Sequence, residues 1–550
     1  MNNKIGISLL FEALLIFSFS HVVTAQQSPA DGLFIDYERV LHTEGILPAH
    51  AISNKPYSYQ YLSRVDTLSA HPWNQLYSPP SGVITHPNLT IGFYDPVSKS
   101  YWRNLKPGGI NDGAVWQGRG LTSSVSSGIF LKYLFITASI RPTFIYNQNK
   151  SFTLSRYATR NERSDFSSPF FNIDNPQRFG NQNFWTVDPG PSYLKAEYSG
   201  FESGISNQNR LWGPSMHYPL VMSNNAPGFL HFFAGTSEPK DIYIGDLETT
   251  FIWGKLLESD YFDQQSFNDE RYITGMTLSF NPQPVPNLTV GFSRVFYRRL
   301  PPEGIPVKDL FKVFEALPKI RSSSGENPGG NDEFDQLLSL FARWVFPDSG
   351  FELYGEWARN DHSWNWRDAV GEPEHSRAYM AGIQKTFTLS NQNILAINSE
   401  IVHLENRHTN NIRAVGSYYT HHIINQGYTH KGQIIGAGTG PGSNSQILNG
   451  KYFFDKGRIA TWFRRTVYNN DYLYKSNSIS EQPENIGTPK YWLHNVELGI
   501  GSSLVYFYKK WETEIGFELL REFNEDFIYK NDNTILAVNL SIRYRLFSVR

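Results

Sequence analysis

From about residue 112 to residue 547 the chain is patterned with a period of two, and this limits the folds open to it more than any motif does. The clearest case is Thr534 to Phe547. Leu536, Val538, Leu540, Ile542, Tyr544 and Leu546 fall on one face of an extended strand, and Asn539, Ser541, Arg543 and Arg545 on the other. Comparable segments lie at Tyr193 to Gly200, Ile242 to Trp253, Tyr272 to Phe280, Leu288 to Tyr297, Leu337 to Phe346, Phe351 to Arg359, Ala378 to Leu389 and Ile394 to Leu404. They continue at Ile447 to Phe454, Arg458 to Tyr468, Val496 to Tyr508 and Trp511 to Glu522, separated by turns such as Asp455-Lys456-Gly457. The stretch SGIFLKYLFITASIRPTFIYN at 127 to 147 is strand-like with imperfect alternation. A soluble sandwich or barrel also alternates. Pairs of arginines on the polar face suit a wet lumen better than a packed core, so the pattern points to an all-β transmembrane antiparallel barrel. Counting fainter segments gives about 17 to 18 strands, and the even-number habit of bacterial barrels selects about 18.

A strand-built membrane protein leaves no long apolar run, and none of 18 residues occurs after the N-terminus. The mean hydropathy is -0.41. The apolar run Ile5 to Phe19, followed by Val23-Thr24-Ala25, reads as a secretory signal peptide over residues 1–25 despite Glu12. Residues 26–110 form a separate module: a polar, helix-permissive stretch with Tyr37, Val40, Leu41 and Leu47, then a proline-rich part with one short strand at Leu89 to Tyr94. The barrel is then assigned to 111–550. An 18-strand barrel is wide enough to be a channel unless filled. Two segments are candidates to fill or cover it: the N-terminal module, and a short amphipathic helix at Pro306 to Pro318 carrying Leu310, Phe311, Val313, Phe314 and Leu317.

The 31 Tyr, 39 Phe and 13 Trp suit interfacial girdles and equally suit sugar-binding clefts. With no cysteine, disulfides and thiolate chemistry are excluded. Near-balanced charge, 49 basic against 51 acidic residues, leaves no footprint for nucleic acid.

Chemistry-bearing motifs are sparse. The glycine run GAGTGPGSN at 436 to 444 lacks the Lys-Ser/Thr of a phosphate loop and reads as a long extracellular loop or turn. His403, His408, His421, His422 and His430 lack metal-ligand spacing, so no metal or other cofactor is assigned. Nothing local selects Asp260 with Asp263, or Glu352 with Glu356, as a hydrolytic carboxylate pair, and there is no G-x-S-x-G elbow. An enzyme is not indicated. Sugar recognition needs only aromatic faces and planar polar groups. Arg210, Trp212, Asn224 and Asn225 offer both, as do Trp364, Trp366 and Arg367 with Asp361 in NDHSWNWRD. The alternative reading of these residues is an aromatic belt and hydrogen-bonded loop structure.

RLWGPSMHYPLVMSNNAP at 210 to 227, with its W-G-P and S-N-N-A-P elements, and NDGAVWQGRG at 111 to 120 together resemble the Wzi family of capsule-assembly proteins. That resemblance implies an 18-stranded bacterial outer-membrane barrel, obstructed by a periplasmic helical element and extracellular loops. It also implies a lectin-like role, holding capsular or another surface polysaccharide at the cell surface. Its partners would be that polysaccharide, outer-membrane lipid and, during biogenesis, the barrel-insertion machinery, with the protein acting as a monomer. Two departures stand out. Leu211 takes the place of a second aromatic beside Trp212, and the chain ends Phe547-Ser548-Val549-Arg550 where a terminal aromatic is expected. A porin-like channel for saccharides or small solutes is the competing reading, and an outer-membrane glycan hydrolase is a third.

Overall fold

The computed structural model describes residues 32–46, 54–55, 73, 84–155, 163–263, 265–315, 334–360, 371, 374–389, 392–406 and 416–546. The expected signal segment, part of the N-terminal module, Asp361, Trp364, Trp366, Arg367 and His408 lie outside the described residues.

The period-two segments close into one antiparallel barrel of 18 strands. In chain order they are β1 (Leu89–Arg103), β2 (Gly120–Tyr133), β3 (Ile136–Ile140 continued by Thr143–Asn147), β4 (Phe184–Asp188 continued by Tyr193–Tyr198), β5 (Phe201–Ser206) and β6 (His231–Thr236 continued by Lys240–Asp241). Then follow β7 (Gly245–Leu257), β8 (Glu270–Pro282), β9 (Leu288–Arg299), β10 (Asp335–Phe346), β11 (Phe351–Asn360) and β12 (Arg377–Thr388). The circuit ends with β13 (Ile394–His403), β14 (Asn444–Phe454), β15 (Gly457–Tyr468), β16 (Asn495–Tyr508), β17 (Trp511–Phe523) and β18 (Asn533–Tyr544). Pairing of β18 with β1, from Ala537 opposite Arg103 to Arg543 opposite Val97, closes the ring. No edge is left unpaired, which is what a sheet inside hydrocarbon requires.

The two faces invert the distribution of a soluble protein. Outward side chains are apolar and about half exposed, as at Leu340, Ile383, Leu448, Phe463, Ile500 and Phe517. Inward ones include Arg343, Glu352, Glu400, Lys451 and Arg458, all buried. An apolar outside around a charged inside is stable only against lipid. Among the described residues no helix is long and apolar enough to cross a membrane, so the strands do.

Connections alternate in length. One end has tight turns such as Ser199-Gly200, with φ of 51° and 76°, where positive φ at both positions matches the strand twist. The other end carries the long loops at 104–119, 148–183, 207–230, 258–269, 300–334, 404–443 and 469–494.

The hydrophobic core lies within the lumen. Trp212, Tyr218, Leu220, Val221 and Met222 from loop 207–230 pack with Tyr418, Tyr419, Ile424, Tyr428, Ile434 and Ala437 from loop 404–443, against Ile252, Ile273, Val295 and Leu337 of the wall. Each such fully buried side chain contributes about 1.5–3 kcal/mol, so the two loops form a packed plug. At the short-turn end the helix α1 (Gly32–Thr43) enters the lumen, and Leu33, Tyr37, Val40 and Leu41 pack with Trp73 against Ile394, Phe453 and Val505. Trp73 donates its indole N–H to Phe454 O at 2.9 Å, at the turn that follows β14.

Four expectations change. The barrel begins at Leu89, ahead of the boundary expected at 110/111. Pro96 hid β1, but it sits in a register shift between Tyr94 and Val97, where its missing N–H breaks no ladder bond. The segment at 127–147 is a hairpin, not one strand. Its turn is Leu134-Phe135, with Leu134 at φ 53°, and apolar turn residues gave no punctuation. The glycine run at 436–444 is no external loop: a Cβ on Gly436 would stand 2.3 Å from Tyr419 Oη and 2.5 Å from Leu220 O, so only glycine fits. Finally, the helix expected at Pro306 to Pro318 is a single turn, Val307–Leu310, followed by a 3₁₀ turn, Lys312–Phe314, and Leu317 lies outside the described residues.

Candidate functional site

The plug does not fill the lumen evenly. On one side it packs against Ile252, Ile273, Val295 and Leu337 of the wall, whereas cavities lie along β14–β18 and β1–β4. One, of about 350 Å³, opens among the long loops and is lined by Arg103, Lys106, Phe170, Arg464, Tyr468 and Glu497. A second, of about 370 Å³, lies deeper and is lined by Tyr101, Asn449, Trp462, Glu518 and Asn539, with Asp36, Met216, His217 and Tyr218 on the α1 side. The two share Arg103, Gly109, Ile110 and Arg464 and therefore adjoin. Each is within the roughly 300–1,000 Å³ of small-molecule sites.

The wall residues come from the inward positions of strands whose alternation is plain in the sequence. On β15 these are Arg458, Ala460, Trp462, Arg464, Thr466 and Tyr468, and on β17 Glu512, Glu514, Glu518 and Glu522. Gly501, opposite Trp462 on β16, makes room for the indole: a Cβ there would fall 2.2 Å from Trp462 Cζ2. The indole N–H donates to Glu518 Oε1 at 3.0 Å, fixing the ring. Arg464 bridges Glu518 at 3.0 Å and Glu497 at 3.5 Å, and Tyr468 donates to Glu497 at 3.2 Å. Lys106 from loop 104–119 pairs with Glu522 and, at 3.2 Å, with Glu525. Burial tends to lower the Lys106 ammonium, but Glu522 and Glu525 hold it above its ordinary value. The result is a charged yet locally neutralised surface of fixed donors and acceptors around a half-buried tryptophan.

The floor is equally constrained. Asp36 of α1 pairs with Lys451 at 2.7 Å and Arg458 at 3.0 Å. Burial pushes its carboxyl up, but those two cations outweigh it and hold it below the ordinary range. Glu400 collects five donors from one turn of loop 207–230 and the wall: Ser215 Oγ at 2.5 Å, the N–H groups of Met216, His217 and Tyr218 at 2.9, 3.1 and 2.9 Å, and Tyr354 Oη at 2.9 Å. Beside it His217, whose Nε2 is 3.3 Å from Asn398 Oδ1, is held below its ordinary pKa by burial. Glu352 and Glu356, weighed above as a hydrolytic pair, serve separate structural bonds. Glu352 binds Arg39 and Arg343, and Glu356 accepts the Leu220 N–H at 3.3 Å.

The residues expected to touch sugar are placed as follows. Trp212 is fully buried, its ring against Gly275, and presents no open face. Arg210 is also buried, its guanidinium 4.3 Å over the Phe233 ring. Asn225 accepts the Asn111 N–H at 3.3 Å and donates to Ile434 O at 2.9 Å. Asn224 donates to Asn111 O at 2.8 Å and lines a smaller cavity of about 170 Å³ with Tyr101, Asp112, Arg141 and Arg543. The two motifs that carried the family resemblance thus interlock, and Asn111, at φ 63°, also donates to His217 O at 2.8 Å. Burial raises the neighbouring Asp112 carboxyl, against hydrogen bonds from Tyr101 and Gln117 at 3.0 and 2.7 Å. Among the described residues no cluster of histidine and carboxylate side chains could hold a metal ion: His430 is buried and accepts the Leu257 N–H at 3.0 Å, while His403 stacks on Tyr379 at 4.9 Å. Reading the motifs missed Trp462, Tyr101 and Arg464. A signal existed for Trp462, a large aromatic on the polar face of an otherwise clear strand.

Comparison with known proteins supplies the rest. No curated protein matches the chain in sequence. The fold is similar to that of the Escherichia coli Wzi structure, with a TM-score of 0.59 at 13% identity over 96% of this chain and 100% of that one. That protein is described as an outer-membrane, carbohydrate-binding β-barrel involved in group 1 capsule assembly. Acinetobacter baumannii OccAB2 aligns with a TM-score of 0.40 at 11% identity, over 82% of this chain and 97% of that one. Pseudomonas aeruginosa OprD aligns with a TM-score of 0.39 at 8% identity, over 84% and 95%. Residues 109–513 match the family model for capsule assembly protein Wzi, and the chain therefore belongs to that family.

Proposed function

We propose that this protein is a non-catalytic outer-membrane carbohydrate-binding barrel that helps to hold or assemble capsular polysaccharide at the cell surface, with its long loops extracellular and α1 periplasmic. Membership of the capsule-assembly family and the structural likeness to a carbohydrate-binding member support the class. The observation that carries the site is the half-buried Trp462 ring, fixed by Glu518 and surrounded by Arg464, Asn449 and Asn539 in a cavity adjoining the extracellular mouth. A pyranose offers an apolar face to such a ring and hydroxyls to such planar polar groups. Asn224 contributes from the adjacent smaller cavity. Arg210 and Trp212 act by holding the plug, and Trp364, Trp366 and Arg367 remain candidates for an outer contact. Several weak contacts along a repeating polymer add through multivalency.

The test is binding of purified capsular polymer to the wild type and to Trp462→Ala and Arg464→Gln, together with surface capsule in a deletion strain. Reduced affinity in both variants, at unchanged barrel stability, is expected. Full capsule retention without the protein would overturn the functional reading. The porin-like alternative predicts steady single-channel current in planar bilayers, whereas a lumen filled by loops 207–230 and 404–443 predicts little.

A further inference from the structure

The loop segment 300–315, which follows β9, turns outward, and the wall beneath it is unlike the rest of the barrel exterior. Arg294 and Arg298 on β9 and Gln336 on β10 lie on the lipid side, since their ladder neighbours Val295, Tyr297 and Leu337 point into the lumen core. Trp344, Phe346 and Phe351 form an aromatic cluster at the short-turn end, with centroids 4.9 and 6.1 Å apart. At about 3.3 Å per residue and a tilt of about 40°, each strand residue climbs about 2.5 Å. Gln336, eight residues from Trp344, therefore stands about 20 Å above that girdle, inside an apolar band about 25 Å tall. A guanidinium and an amide at that height would face hydrocarbon.

The loop covers them. Arg294 donates to Val313 O at 3.2 Å, to Glu315 O and to Gln336 Oε1 at 2.9 Å, while Arg298 pairs with Asp309 at 3.1 Å. Trp253 and Tyr272, also outward, donate to Leu310 O at 2.8 Å and Asp309 O at 3.3 Å. Val313 seals the contact against Met276 and Phe296. On the far side of this cover Val307 is 72% exposed, Phe311 62% and Phe314 59%. The polar wall has been exchanged for an apolar surface continuous with the lipid belt.

We propose that residues 305–315 are a lipid-docking element, seated in the outer leaflet with Val307, Phe311 and Phe314 among acyl chains. The assignment relies on the outer-membrane reading above but not on sugar binding. Because the chain has no cysteine, single-site labelling is clean. Phe311→Cys and Val307→Cys, each carrying a small environment-sensitive fluorophore, are reconstituted in phosphatidylcholine vesicles containing a lipid with a spin label near the headgroup end of its acyl chain. Leu340→Cys is the lipid reference and Glu481→Cys, in an extracellular loop, the water reference. The expected result is lipid-borne quenching at 307 and 311 comparable to 340 and at least about three-fold above 481, with iodide quenching correspondingly weak. Iodide quenching equal to that at 481 would place the segment in water. Protection from both quenchers would mean that protein covers it. Either result overturns the assignment. If no label, including 340, meets lipid, the membrane reading itself fails.

Discussion

Replacing Arg39 by alanine tests whether α1 is a docked stopper or an ornament of the short-turn mouth. Arg39 is buried, donates to Glu352 at 2.5 Å and to Pro214 O at 2.5 Å, and lies 4.1 Å over the Tyr354 ring. It therefore joins the N-terminal helix, the barrel wall and loop 207–230 at one point. Removing one partner of a buried ion pair costs about 3–5 kcal/mol when the other charge is stranded. Here Arg343, at 2.6 Å, still neutralises Glu352, which reduces that penalty. Two charge-assisted hydrogen bonds at about 1.5–3 kcal/mol each and a cation–π contact of about 0.5–2 kcal/mol give the remaining loss. Because these terms overlap, we expect about 3–5 kcal/mol, spent locally on undocking α1 while the wall ladders persist. At 1.4 kcal/mol per decade this accelerates hydrogen exchange of the protected α1 amides by about 10² to 4 × 10³, while strands β14–β17 stay protected. Planar-bilayer current should rise in parallel. Arg39→Lys keeps the charge but loses the fork, and should fall between. Exchange in α1 within about three-fold of wild type would refute the reasoning.

Trp212→Ala should destabilise the plug by about 3–5 kcal/mol through cavity formation, read as faster proteolysis of loop 207–230. Sugar affinity of the folded fraction, measured by calorimetry, should change less than in Trp462→Ala. Gly436→Ala forces a Cβ against Tyr419 Oη and Leu220 O and should cost about 1–3 kcal/mol, read by the same proteolysis. Acid should loosen the plug, because burial holds His42, His217 and His430 below the ordinary histidine value. Their folded-state values are depressed, so an opened plug takes up more protons below about pH 6.5 and docking weakens as pH falls further, with no histidine contribution above that point. Asp36, itself depressed, contributes only below the ordinary aspartate range. Bilayer current should therefore increase between pH 7.5 and 5, and a flat profile would count against buried neutral histidines.

The wall was readable in sequence because a strand between lipid and water must alternate, and thirteen such segments in the sequence coincide with barrel strands. The missed strands fail for identifiable reasons. β5 and β6 are short and carry Gly204 and Gly235, β1 contains Pro96, and β3 follows a turn made of Leu134 and Phe135. The plug was less legible. Trp212 and Arg210 look like exposed recognition residues in a Pro- and Gly-rich loop, and nothing local reveals that the loop turns inward, since its partners Glu356 and Glu400 lie far along the chain. The site suffers from the same cause: Trp462 acquires meaning only when β15, β16 and β17 are laid side by side.

Asp36, Met216, His217 and Tyr218 line the deeper cavity on the α1 side and narrow the way from it toward the short-turn end. A polymer threads poorly past such an obstruction. On the proposed function, with the long loops facing the cell exterior, the shape suits a chain terminus or a side branch better than the middle of a long unbranched strand. Held in that way, the remainder of the polymer stays outside and unconfined. Many such barrels would then act as tether points, each gripping one end, and the density of the surface layer would follow the number of barrels in the membrane.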